Sequence, residues 1–231
     1  MSAQKIVQNL SPNHSERKGE GKISMLVLHY TGMKTGKAAL ERLCDPAAEV
    51  SAHYLVEEDG SILQLVEEDR RAWHAGVGFW NGETDINSCS IGIEIVNPGH
   101  EFGYVSFPKS QILSTLELCQ QIVEKYEISP LNVVGHSDVA PQRKQDPGEQ
   151  FPWQWFAKKG VGYWPDKIVV PNMSNFDMAK ALSKIGYDVS NLEKSIEAFQ
   201  RHWRPQAITG KADAETCRLV ASVAVARQGL T

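Results

Sequence analysis

Residues 23–29 read ISMLVLH, a run of apolar and β-branched side chains that ends on a histidine. A short apolar run without alternation predicts a strand buried on both faces, in the interior of a sheet. A second strand signal lies at residues 90–96, SIGIEIV, stopped by Asn97-Pro98-Gly99, with Glu94 inside an otherwise core-like pattern. A third and shorter one, NVVGH at residues 132–136, again ends on histidine. Between the first two, residues 52–57 and 61–66 flank Glu58-Asp59-Gly60, and an Asp-Gly pair between β-rich runs predicts a hairpin. Apolar residues at Ile112, Leu113, Leu116, Cys119, Ile122, Val123 and Tyr126 recur at helical spacing over 109–126, with Pro108 as opener, and a shorter helix is expected over 36–44. Such mixing predicts an α/β fold with a mixed central β-sheet flanked by helices.

The pattern changes after Pro171. Three helical stretches follow, at 176–185, 192–203 and 213 to about 226, the last opened by Asp213 as an N-cap. The expected organisation is a first domain over 1–171 and a small three-helix bundle over 172–231, which at this size leans on its neighbour.

The chain has 231 residues, 42% of them hydrophobic and 23% charged, with a net charge of -4, so it belongs with ordinary globular proteins and has no basic surplus for nucleic acid. No apolar run approaches the roughly 20 residues of a spanning helix. The opening segment MSAQKIVQNLSPNHSERKGEGK shows no apolar signal core, which sets a cytoplasmic location as the expectation and the cell envelope as the alternative. Cys44, Cys89, Cys119 and Cys217 form no CxxC pair and are expected as free thiols.

Three residues attract attention for chemistry. His29 and His136 each end a strand, and Asp146 follows His136 through a loop rich in Pro and Gly. Two imidazoles and a carboxylate, with a fourth position left to water, are a ligand set used by catalytic zinc, although strand-end histidines also serve structure alone. His136-Ser137-Asp138 is no hydrolase triad, since chain neighbours do not converge and no GxSxG occurs. Glu94 is costly to bury unless it has a partner or a task, and otherwise belongs on the outer side of an edge strand. Lys144 is either a solvated loop cation or a charge aimed at a developing oxyanion. Trp73, His74, Trp80, Trp153, Trp155 and Trp164 sit in loop-like segments, as sugar platforms or as core fillers.

The segments SAHYLV (51–56), RAWHAG (71–76), SIGIEIVN (90–97), VVGHSDVAPQRKQDPG (133–148) and FPWQWF (151–156) together resemble the zinc N-acetylmuramoyl-L-alanine amidases of the AmpD/AmiD family. The tail, with LEKSIEAFQRHWRP and ITGKADAETCRLV, resembles the three-helix peptidoglycan-binding domain of AmiD-like members. The resemblance implies one zinc per chain on His29, His136 and Asp146, an acid/base role for Glu94, oxyanion stabilisation by Lys144, and places near the substrate groove for His53, Trp73 and His74. It implies cleavage of the amide between N-acetylmuramic acid and L-alanine in peptidoglycan or muropeptides. Phage-type relatives carry a Tyr where Ala52 stands, so no base can come from that position here. A non-catalytic peptidoglycan receptor is the competing expectation, and the full ligand set argues against it.

Overall fold

The computed structural model describes residues 6–229. Eight strands are present among these: β1 (Ile6–Gln8), β2 (His14–Glu16), β3 (Met25–Tyr30), β4 (Tyr54–Val56), β5 (Ile62–Gln64), β6 (Arg70–Ala72), β7 (Ser90–Ile95) and β8 (Val133–Gly135). The helices are α1 (Gly36–Cys44), α2 (Ile86–Cys89), α3 (Gly99–Phe102), α4 (Lys109–Tyr126), α5 (His136–Val139), α6 (Trp153–Lys158), α7 (Met178–Ile185), α8 (Leu192–Trp203) and α9 (Ala214–Gly229).

Six strands form one sheet in the order β1-β5-β4-β7-β3-β8, which puts the opening ISMLVLH run in its interior as its composition demands. The β4–β5 hairpin is antiparallel and every other pairing in this sheet is parallel, so the sheet is mixed. β2 and β6 make a separate antiparallel pair. β1 and β2 escape sequence reading because three residues are too few to show a period.

Alternation along β3 and β7 assigns each face a neighbour. Leu26, Leu28, Ile91, Ile93 and Ile95 bury against Leu116, Cys119 and Ile122 of α4. Met25, Val27 and Val134 point the other way and share one buried cluster with Leu182, Ile185, Phe199, Trp203, Val220 and Val223 of α7, α8 and α9. The boundary expected near Pro171 falls in the irregular segment between α6 and α7, yet the apolar core runs across it without a break. Polar contacts fasten the same junction: the buried Arg227 on α9 donates to the carbonyls of Leu131 and Ile185 and to Asn132 Oδ1, at 2.8–2.9 Å.

Local signals account for the ends of these elements. Thr35 caps α1 by accepting from Ala38 N–H, Asp177 caps α7, and Asn191 caps α8. Asp213 accepts from Thr216 N–H at 2.9 Å at the start of α9, the N-cap expected from sequence. Cys44, Cys89, Cys119 and Cys217 are all free. No helix among the described residues is long and apolar enough to cross a membrane.

Candidate active site

The site is built by strand register. His29 pairs in register with Glu94 of β7, and Leu28 pairs with Gly135 of β8, so His136 starts α5 at the level of His29. Partners in a parallel pair face the same side, so the carboxyl ends of three adjacent strands deliver His29, Glu94 and His136 to one edge of the sheet. That edge is where open α/β sheets bind ligands. The loop after α5 returns Asp146 to the same point, held by Ser137 N–H donating to the Asp146 carbonyl at 2.9 Å.

Three atoms converge there. His29 Nδ1 lies 2.9 Å from His136 Nδ1, and each lies 3.0 Å from Asp146 Oδ2. All three residues are buried. The remaining nitrogens decide what the triangle can hold. His136 Nε2 sits 2.9 Å from the Ala75 carbonyl and must carry its proton to donate. His29 Nε2 sits 3.0 Å from His74 Nδ1, and His74 Nε2 sits 3.2 Å from Ser90 Oγ, whose hydroxyl donates to the Ile86 carbonyl at 2.6 Å. Ser90 therefore accepts from His74, His74 accepts from His29, and His29 keeps a bare Nδ1. Burial first, and the facing His136 next, push His29 down to about 4, so it is neutral at pH 7. Burial works against the Asp146 carboxylate, but the two imidazoles outweigh it and hold its pKa far below the usual range.

With both imidazoles neutral, two lone pairs and a carboxylate point at one another. A metal cation fits that arrangement, and the mutual distances approach the roughly 3.3 Å that separates ligand atoms ~2.0–2.1 Å from a tetrahedral zinc. Among the described residues this is the one group of three or more candidate metal ligands.

The trio opens into a cleft of about 930 Å³, walled by Trp73, Tyr30, Met33, Phe102, Arg143 and Lys144. Glu94 lines it, partly exposed, with one carboxylate oxygen, Oε2, buried and without a hydrogen-bond partner. Burial, then the charge of Asp146, raise its pKa well above the ordinary value, with Lys144 acting in the opposite direction. The Lys144 ammonium faces the same space and makes no ion pair among the described residues. Glu94 is therefore not on the outer side of an edge strand: β7 is interior, and the carboxylate points into the cleft.

The other expected groove residues separate. Trp73 is half-buried in the cleft wall. His74 touches the cleft but spends both ring nitrogens on His29 and Ser90, and its ring packs where a side chain at position 92 would stand, which is why β7 carries Gly92. His53 does not reach the cleft. It is fully buried, accepts from Gly92 N–H at Nδ1 and donates to the Arg70 carbonyl from Nε2, and burial followed by the nearby Arg17 pushes it down to about 3. It pins β7 to its neighbour instead. Trp80 and Trp153 fill the core rather than platforms, at 1% and 4% exposure. Asn87, Ser90, Arg143 and the cleft-lining Arg42 were not legible as site residues, since their types and spacing carry no pattern outside the folded chain.

A family model described as N-acetylmuramoyl-L-alanine amidase matches residues 19–149. N-acetylmuramoyl-L-alanine amidase AmiD of Escherichia coli is 40% identical over 223 residues, covering 84% of this chain and 80% of that protein. 1,6-anhydro-N-acetylmuramyl-L-alanine amidase AmpD of Enterobacter cloacae is 32% identical, covering 63% of this chain and 85% of its own. The structure of E. coli AmiD in complex with its substrate anhydro-N-acetylmuramic acid-L-Ala-D-γ-Glu-L-Lys superposes with a TM-score of 0.79 at 35% identity, covering 96% of this chain and 94% of that one. That likeness therefore extends through α7–α9. The chain belongs to the family of N-acetylmuramoyl-L-alanine amidases.

Proposed function

We propose that the chain hydrolyses the amide between the lactyl group of N-acetylmuramic acid and L-alanine, in peptidoglycan or in muropeptides, with one zinc ion held by His29, His136 and Asp146. The observation that carries this reading is the convergence of two imidazole nitrogens and a carboxylate oxygen within 3.0 Å of one another, beside a carboxylate whose buried Oε2 has no partner, in one cleft. A zinc ion held there supplies Lewis acidity, which polarises the scissile carbonyl and makes water a nucleophile near neutral pH.

The chain's own groups do the rest. Glu94, raised in pKa and without a fixed partner, takes a proton from the attacking water and delivers it to the departing alanine nitrogen, which otherwise leaves poorly. Lys144 places a cation where the carbonyl oxygen gains charge. Trp73 and the opposite wall orient the substrate and exclude water. The helices α7–α9 would add affinity for the polymeric wall through effective concentration, without adding chemistry.

Mass spectrometry of products from purified sacculi and from a soluble anhydro-muropeptide tests the reading, with and without a chelator and after zinc is restored. The expected products are free stem peptides that begin with an L-alanine amine, formed only with metal present. Absence of a new alanine amine, or full turnover in chelator, sinks it.

A further inference from the structure

Two consecutive residues of one backbone segment steer both ligand imidazoles. In residues 73–77, WHAGV, the His74 side chain accepts Nε2–H from His29 at 3.0 Å, and the Ala75 carbonyl accepts Nε2–H from His136 at 2.9 Å. The segment is itself held from three directions. Asn87, 5% exposed, accepts with Oδ1 from the N–H groups of both His74 and Ala75, at 3.1 and 2.8 Å. The Arg143 guanidinium donates to the carbonyls of Ala75 and Val77. Ser51 donates its N–H to the Trp73 carbonyl and accepts Trp73 N–H at Oγ. Gly76, at φ +60°, turns the chain so that both carbonyls reach Arg143, a conformation that other residues adopt only with strain.

We propose that this strap, pinned by Asn87 and Arg143, is the positioning device of the metal site, so that His74, Asn87 and Arg143 set metal affinity without touching the ion. The proposal rests on the zinc reading above. An imidazole that can rotate or exchange its proton between nitrogens presents Nδ1 only part of the time, and the loss of such an outer partner weakens metal sites about 10–100-fold. Sharing one strap adds a consequence: a change at Asn87, which contacts neither ligand, disturbs both histidines together. His74 then serves the metal rather than the substrate.

The test uses the full chain and reads zinc affinity by competition with a chromogenic chelator, together with the ¹⁵N signals of His29 and His136. His74→Phe, which keeps a ring but has no acceptor, is expected to weaken zinc binding about 10–100-fold. His74→Asn restores an acceptor oxygen and should recover most of that loss. Asn87→Ala should weaken binding and shift the ¹⁵N signals of both histidines, whereas Asn87→Asp, with its oxygen retained, should keep the affinity. Arg143→Met covers the case in which buried variants fail to fold, because Arg143 is exposed. Arg143 also lies 3.5 Å from His136 Nε2, and removal of its positive charge would by itself tighten cation binding, so weaker binding by Arg143→Met reports the lost positioning of the strap and of His136. Wild-type affinity in Arg143→Met or Asn87→Ala overturns the proposal, as do equal losses in His74→Phe and His74→Asn. A wild-type chain that binds no zinc overturns the metal reading instead, which separates the two failures.

Discussion

Two buried His–Asp groups flank the start of α5, the trio His29, His136 and Asp146 and the pair His202 and Asp138, and they differ in which acceptors find donors within the protein. In the cleft, Asp146 Oδ2 and the Nδ1 atoms of His29 and His136 face one another at 2.9–3.0 Å. Beneath it, Asp138 accepts from His202 Nδ1 at 2.7 Å, from Gly135 N–H at 2.8 Å and from the Tyr187 hydroxyl at 2.5 Å. His202 is stacked between Trp153 and Trp203. Both carboxylate oxygens of Asp138 have donors within the protein, and the pair ties α5 to α8. The cleft group is the one whose acceptors a metal cation would fill. Residue type alone does not distinguish a ligand set from a structural pair. The partner of each remaining nitrogen does.

The largest expected effect tests the cleft group directly. His136→Ala should lose nearly all bound zinc by metal analysis, and one retained equivalent would break the contrast. Glu94→Gln should keep zinc and fold but lose kcat by about 10²–10⁴-fold, measured on a soluble muropeptide. Lys144→Ala should lower kcat by roughly 10²–10³-fold with zinc content unchanged, and an effect confined to KM would point to uniform substrate binding. His202→Phe, in the lower pair, should instead cost about 3 kcal/mol of stability, a fall in Tm of roughly 6–12 °C, while one zinc still binds at saturating metal. A His202→Phe chain that keeps its Tm but loses zinc would reverse the two assignments.

The smallest effect concerns pH. Burial, then Asp146, raise Glu94, so the folded chain holds this proton at higher pH than the unfolded chain does. Ionising Glu94 therefore costs stability, a cost absent below about pH 4 that grows as pH rises toward the raised pKa. In the zinc-free protein Glu94→Gln should raise Tm by about 2–4 °C near neutral pH for each kcal/mol relieved, and the gain should vanish in acid. A gain that is equally large in acid would show that charge is not its source.

Much of this contrast was legible in the chain before folding. ISMLVLH predicted an interior strand ending on His29, and SIGIEIV a strand with Glu94 inside it; that the two are neighbours with His29 in register with Glu94 lay outside the sequence reading, because pairing is a long-range property. The helix expected over 109–126 appears with those bounds, its apolar stripe facing the sheet. The role of His53 was not legible, since a motif histidine looks the same whether its ring faces a groove or Gly92 N–H. Asn87 and Arg143 were hidden for a related reason: they act on backbone N–H and carbonyl groups, which every residue has. The extent of the core was hidden too, because helical spacing shows that α7–α9 bury a face but not that Met25, Val27 and Val134 are what they bury it against.

That shared core makes the molecule divisible without being separable. The segment that carries exposed Ile168, Val170 and Met173 crosses the surface between α6 and α7, and it offers a protease easy access. A cut there would sever one peptide bond and leave the buried Leu182, Phe199, Trp203 and Val220 seated on the sheet, together with the Asp138–His202 pair. The nicked protein should elute as one species of unchanged size, and two fragments expressed from separate genes should reassemble into an active enzyme. Either half made alone would expose its side of the shared core, so each should aggregate unless the other is present.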